Sequence, residues 1–251
     1  MKAFYLALLA ALPLLAPTPL HADRLADLRA TLQRLKADAP VKAQIAVRNT
    51  RKNGDEDEQK VHAEEATVVA EQGPQGLKLT WPAQLVDEAR KAAWQRAANP
   101  EATTSRGAGL SVLDAGDAVA LLDAAEPLLL EIDRATLVED KVEPRGGKPT
   151  RVLVVKPRDG FSAAERKSLK SREDVLKIWL DDAGNPVALD RQTRLKYSKL
   201  LISFSVNAHA TRTYAVVGDR LIATTASDES SGAGLGQSGE SHKISRVTVL
   251  P

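Results

Sequence analysis

The sequence predicts a mainly β protein with α cover, an α+β class built on a strongly curved antiparallel sheet or half-barrel closed by helices. Three observations lead there. Runs of alternating apolar and polar residues recur along the chain, separated by short turns rich in glycine and proline. The C-terminal half lacks the crossover helices that parallel strands need. An antiparallel sheet of roughly eight or more strands does not stay flat, and coiling lets it bury one side against helices.

The N-terminus carries a different signal. Lys2 precedes a mainly apolar run from Ala3 to Ala16, and Leu20-His21-Ala22 follows a proline-containing stretch. This is the layout of a secretory signal peptide, with cleavage expected after Ala22 and a single domain expected over residues 23–251. The run is short for a membrane-crossing helix, which needs about 20 residues. No later apolar stretch qualifies, so no transmembrane segment is expected in the mature chain.

Composition narrows the chemistry. The chain has 251 residues, no cysteine and a formal charge of +2. Without cysteine there are no disulfides, thiolate metal sites, cysteine nucleophiles or acylated lipoprotein cysteine. An exported protein of this kind draws its stability from its core, and a periplasmic location fits that usage. A near-neutral sum with both signs interspersed argues against a nucleic-acid partner held by bulk charge, although a small local patch is compatible with it.

The first element is a helix from about Asp23 to Ala37. Leu25, Leu28, Leu32 and Leu35 recur at helical spacing, and Pro40 stops the run. Val41, Ala43, Ile45 and Val47 then alternate with polar neighbours as a strand with one covered face. A second strand over Lys60–Glu71 completes a hairpin whose tip is the acidic run Asp55-Glu56-Asp57-Glu58, and a third runs from Leu77 to Trp81. The insert at about 83–125 is alanine-rich and helical. One helix is expected over Ala83–Ala98 and a shorter one from Asp114, a capping residue, to Ala125. With the N-terminal helix, this pair is the expected cover of the sheet. The remainder reads as strands: Leu128–Val142, Thr150–Lys156, Asp174–Leu180, Val187–Tyr197, Leu201–Val217, Leu221–Thr225 and His242–Leu250. A short helical stretch is expected within Ser162–Lys170. Asp181 to Pro186 forms the clearest turn, and Ser227–Ser241, rich in glycine and serine, reads as a loop.

No catalytic constellation emerges. Gly232, Gly234, Gly236 and Gly239 lead into a strand, not into the helix that a phosphate-binding loop requires. His62, His209 and His242 stand singly, without the paired spacing of a zinc site. No Gly-x-Ser-x-Gly elbow occurs. Asp181-Asp182 sits at a turn where nothing predicts the burial that a general acid needs. No enzyme, metal or cofactor is implied. What remains is apolar. Trp94 and Trp179 are large groups suited to a shared interior, Ile202, Phe204 and Val206 share one strand face, and Val187, Leu189, Leu195 and Tyr197 share another. These residues suit a packed core or the lining of a cavity, and the sequence leaves both open.

The leucine helix Leu25–Leu35, the strands Lys42–Asn49 and Lys60–Glu71, and the hairpin Val175–Tyr197 with its Asp-x-x-Gly-Asn-Pro turn give the chain a layout that resembles the LolA/LolB-like periplasmic lipoprotein carriers. The resemblance implies a half-barrel around an apolar cavity, closed by helices, with an acyl chain or lipidated protein as partner. The expected function is non-covalent binding of a lipid-like or other apolar ligand in the envelope, with Trp94, Trp179, Leu189, Tyr197, Ile202, Phe204 and Val206 as the lining. The rival expectation is an envelope structural or protein-interaction module with a fully packed core.

Overall fold

The computed structural model describes residues 20–36, 39–55, 58–99, 109–199 and 202–251. The expected export signal therefore falls almost wholly outside the described residues, as does the centre of the acidic run at Glu56-Asp57. Helix α1 (Leu20–Arg34) is followed by strands β1 (Val41–Asp55), β2 (Glu58–Gly73) and β3 (Gly76–Thr80). Helices α2 (Ala83–Ala98), α3 (Ala115–Leu122) and α4 (Ala125–Asp133) lead into β4 (Ala135–Arg145) and β5 (Lys148–Pro157). After the short helix α5 (Ala163–Ser168) come β6 (Leu169–Leu180), β7 (Pro186–Lys199), β8 (Ile202–Val217), β9 (Arg220–Gly234) and β10 (Gln237–Val249).

All ten strands form one sheet in the order β3-β2-β1-β10-β9-β8-β7-β6-β5-β4. Neighbours are antiparallel throughout, as the short turns require. The sheet is open, with β3 and β4 as its two edges, and it does not close into a barrel. Every neighbouring pair is consecutive in the chain except β1 and β10. Those two meet over thirteen residue pairs, from Ala43 opposite Val249 to Asp55 opposite Gln237.

One face of the sheet carries the main core. The leucine stripe of α1 (Leu25, Leu28, Leu32 and Leu35) shares one buried cluster with Ala43, Ile45, Val68, Leu153, Leu176, Ile178 and Leu221 of the sheet and with Leu121, Leu122, Leu128 and Ile132 from α3 and α4. The backbone of Leu221 clamps this layer: its N–H donates to the Leu35 carbonyl at 3.2 Å, and its own carbonyl accepts from the Ala124 N–H at 2.9 Å. Both ends of the helical layer are thereby tied to the start of β9.

The helical cover differs from the expected one. α2 has the predicted bounds, yet none of its side chains joins the main core. Its place is taken by α4, over a segment whose Leu128-Leu129-Leu130 run reads as strand. An apolar triplet satisfies either period, and Pro127 is tolerated here because it falls in the first helical turn. α3 behaves as predicted, with the Asp114 carboxylate accepting from the Asp117 N–H at 2.7 Å. α5 starts with a capping box in which Ser162 and Glu165 satisfy each other's backbone N–H.

The glycine-serine run after Ser227 is also not a loop. It forms the outer halves of β9 and β10, paired from Ser227 opposite Ile244 to Gly234 opposite Gln237. Ordinary strand propensity is low there, and pairing with the flanking strands overrides it.

Two substitutions separate core from surface. Leu32→Ala is expected to cost about 2–5 kcal/mol in denaturant unfolding, since the side chain is fully buried. Trp94→Ala should stay within about 0.5 kcal/mol of the parent, because the indole is 71% exposed on α2.

Candidate functional site

The helix-bearing face changes character along the strands. Near the core it is apolar. Beyond the ends of α3 and α4 a row of polar side chains crosses it: Asn49, Lys243, Asp228, Arg212, Arg191 and Asp174, on strands β1, β10, β9, β8, β7 and β6 respectively. The row is closed by ion pairs and hydrogen bonds. Arg212 Nη2 donates to Asp228 Oδ1 at 2.7 Å, and Lys243 reaches the α3 carboxylate of Asp117. Arg191 Nη1 donates to Glu131 Oε1 on α4 at 2.7 Å. Two helices are thus held to the sheet by charge where their apolar contact ends.

Asp174 is the most enclosed member, only 3% exposed. Its carboxylate accepts from Arg172 Nη2 at 2.7 Å, from Arg191 Nε at 3.1 Å and Nη2 at 3.0 Å, and from Thr193 Oγ1 at 3.2 Å. Burial alone pushes this carboxyl up, but the hydrogen bonds from Arg191 and Arg172 outweigh it and hold the group below the ordinary carboxylate value. At neutral pH it is an anion fixed between two guanidinium groups. That role is structural, since its oxygens are taken up by these donors.

Past this belt the same face continues beyond α3 and α4, with the short helix α5 against β7 at its margin. Leu195 lies opposite Val206 and Tyr197 opposite Phe204, which joins two of the predicted lining positions on β8 to one on β7. The Tyr197 and Phe204 rings stand 5.8 Å apart, and Phe161 meets Tyr197 edge-on at 6.3 Å. Phe204 is 42% exposed despite this stacking. Towards β10 the floor is small: Val206 faces Gly232 and Phe204 faces Gly234 across the strand pair. A Cβ at Gly234 would stand 2.9 Å from the Phe204 Cβ, so only glycine admits the ring there. The result is an apolar surface of aromatic and aliphatic pairs beside a floor without side-chain bulk.

The other sequence-predicted residues fall elsewhere. Leu189 packs partly buried against the main core, under the helices. Ile202 opens β8, and its side chain lies outside the described residues. Trp179 is 7% exposed in a small separate cluster with Val152, Ala188 and Val187, under the Arg145 guanidinium at 4.5 Å. Trp94 is not part of that cluster, so the two tryptophans do not form the expected shared interior. Val187 leaves the company of Leu189 next to the irregularity between Trp179 and Leu180. Phe161 and Leu169 extend the apolar surface and were not legible as members, because one precedes and the other follows a helix of six residues.

Two larger hollows lie away from this surface. One, about 680 Å³, is formed mainly by side chains of the opposite face, including Thr50, Gln192, Asn207, His209, Glu229 and His242. There Glu229 stands opposite both His242 and His209, and His209 also meets Asp190 at 3.2 Å. Among the described residues no group of three or more histidine or acidic side chains is placed to hold a metal ion. The second hollow, about 840 Å³, sits at the end of the sheet between the β2–β3 and β8–β9 turns, lined in part by Pro40, Leu77, Val217, Leu250 and Pro251. Asp181, weighed as an acid, organises its own turn: its carboxylate accepts from the N–H groups of Ala183 at 3.0 Å and Asn185 at 2.7 Å.

The belt sets a pH dependence. A carboxyl whose value is lowered by folding stabilises the fold above its unfolded value of about 4, and that contribution is lost as pH falls through the folded value. The thermal midpoint of the parent is therefore expected to fall on acidification below about pH 4, more steeply than that of Asp174→Asn. At pH 7 Asp174→Asn should cost about 3 kcal/mol, because Arg172 and Arg191 lose their shared counter-charge.

No family model and no curated protein matches the chain. Among the described residues no helix is long and apolar enough to cross a membrane. Among solved structures, the chain is similar to a domain described as an outer membrane lipoprotein-sorting protein from Vibrio parahaemolyticus. The two share 14% identity and a TM-score of 0.32, over 89% of this chain and 92% of that one.

Proposed function

We propose that this is an exported periplasmic protein that binds a lipid-like, apolar ligand non-covalently on the half of its helix-bearing face beyond α3 and α4. One observation carries the reading. Beyond the polar belt, the paired residues Leu195/Val206 and Tyr197/Phe204 continue an apolar face past the reach of α3 and α4, flanked on β7 by the short helix α5, beside the glycine floor at Gly232 and Gly234. An acyl chain laid there removes apolar area from water on both partners, at about 25 cal/mol per Å², with few polar groups needed to orient it.

The half-barrel curvature belongs to the same proposal. A flat sheet of ten strands would be about 43 Å wide at ordinary strand spacing. Yet α3 packs against the β3 edge, α4 packs against the β4 edge, and Leu77 and Leu79 of β3 join the same core as Leu137 of β4. A sheet curled around its helices satisfies those contacts. The resemblance to lipoprotein carriers agrees with the reading and adds a candidate partner, an acylated ligand. The rival reading, an envelope interaction module, rests on the filled interior between helices and sheet, where Leu28, Leu32, Leu122 and Ile132 are buried.

The test is extraction of purified envelope-expressed protein into organic solvent for lipid mass spectrometry, together with titration of a fluorescent apolar probe. Val206→Asp and Gly232→Val are each expected to weaken probe binding at least tenfold, about 1.4 kcal/mol. A Cβ added at Gly232 meets only the Ser205 carbonyl at 3.6 Å, an ordinary contact, and Gly232 does not have positive φ, so the backbone accepts a side chain there. Absence of both lipid and probe binding would overturn the ligand reading in favour of the interaction module. If binding survives both variants and is lost in Leu77→Trp, the ligand sits in the hollow at the end of the sheet instead.

A further inference from the structure

The two edges of the sheet are unequal. β3 has five residues and a single charge, Lys78, and α3 packs against it. β4 has eleven residues, and beyond the bulge between Leu137 and Glu139 its outer part, residues 139–145, pairs regularly with β5. On its other side no strand lies among the described residues. Val142, in the middle of this stretch, is 65% exposed. An open edge of this length is a template for a further strand.

Two prolines fix which backbone groups face outward. Pro144 stands opposite Pro149, and neither ring can donate, so the pair takes a non-hydrogen-bonded position in the ladder. By alternation along β4, the N–H and C=O groups of Asp140 and Val142 point away from β5, towards the open edge. Pro144 adds a carbonyl to that row and no donor.

The side chains of the same stretch complement themselves. Glu139, Lys141, Glu143 and Arg145 share the sheet face opposite the helices, with signs that alternate from negative to positive. A second β4 laid antiparallel and centred on Val142 therefore sets Glu139 opposite Arg145 and Lys141 opposite Glu143. A shift of two residues either way sets Lys141 or Glu143 opposite itself, like charge on like charge. In the centred register the two Val142 residues exchange N–H···O=C bonds, and each Asp140 N–H donates to the Pro144 carbonyl of the other copy. The charged pairs then fall at non-hydrogen-bonded positions, where facing side chains stand closest. Asp140 brings no uncompensated charge, because Arg24 and Arg151 already flank it. Among the described residues Arg145 has no carboxylate partner within its own chain, and it lies over Trp179 at 4.5 Å.

We propose that two copies of this chain join by their β4 edges about a two-fold axis at Val142, continuing one sheet across both. Such a contact uses the same patch on each copy and closes on itself, so it ends at a dimer and not at a fibre. A strand pair buries less area than a permanent interface, and the dimer is reversible. The inference is independent of the ligand reading, whose residues lie on β7, β8 and β9.

The experiment is sedimentation velocity of purified envelope-expressed protein over a range of about 1–300 μM. The expected result is a concentration-dependent passage from monomer to dimer. Val142→Pro removes an N–H that faces the open edge, a place where a strand tolerates proline, and should abolish the dimer while leaving the β4–β5 ladder intact. Lys141→Glu and Glu143→Lys should each weaken self-association at least tenfold, since each sets like charges opposite one another. Mixed in equal amounts, these two variants should associate about as tightly as the parent, because every facing pair is again of opposite sign. Loss of folding in either variant would not be repaired by mixing. All three variants should keep the parent's titration with the apolar probe, which separates this proposal from the ligand site. A monomer at every concentration, a dimer undiminished in Val142→Pro, or a mixture no more associated than its separate variants would overturn the proposal.

Discussion

The helices are too narrow a layer for the sheet they cover. A strand of sixteen residues, as in β8, extends about 54 Å, whereas α1, fifteen residues long, runs across the strands from Arg24 beside Asp140 of β4 to Leu35 at Leu221 of β9 and covers only about its own width of 10–12 Å along them. α3 and α4 are shorter still. The leucine stripe can therefore fill one half of the face and must leave the other half open. The polar belt, the exposed aromatic pairs and the glycine floor all follow from that mismatch. A face left open must either become polar or acquire something to cover it. On β10 and the neighbouring part of β9 it is small and polar, and on β7 and β8 it stays apolar.

The belt marks where one regime gives way to the other. Burying Asp174 unpaired would be costly, and its two arginines with the Thr193 hydroxyl supply the donors that make it tolerable. Such a network adds less net stability than apolar side chains of equal volume. What it adds is position. Glu131 and Asp117 reach Arg191 and Lys243, so α4 and α3 cannot slide along the strands without separating charges.

Much of this architecture was legible in the residues. The α1 stripe, the alternation in β1, the bounds of α2, the Asp114 cap and the Asp181–Pro186 turn each rest on local chemistry, and local chemistry decided them. Three features were decided by distant contacts instead. Leu128-Leu129-Leu130 reads in either period, and packing against α1 makes it helical. The glycine-serine run has little intrinsic tendency to extend, and it extends because β10 is held against β1 on its other side. α2 carries a mixed alanine surface that gives no warning of its absence from the core. Of the candidate site, the residues of β7 and β8 could be named from alternation. That Leu195 faces Val206, and that Trp179 packs away from Trp94, depends on register and bulges, which a single sequence does not encode locally.

The seam between β1 and β10 has a consequence for how the chain comes to be folded. The last strand in sequence is a middle strand in space, wedged between the first strand and the ninth. Until Gln237–Val249 arrives, β1 and β9 each present a raw edge, and the two meanders on either side of the gap have nothing to join them. Joining ends almost two hundred residues apart is entropically slow, so a growing or partly threaded chain stays uncommitted until its final segment is free.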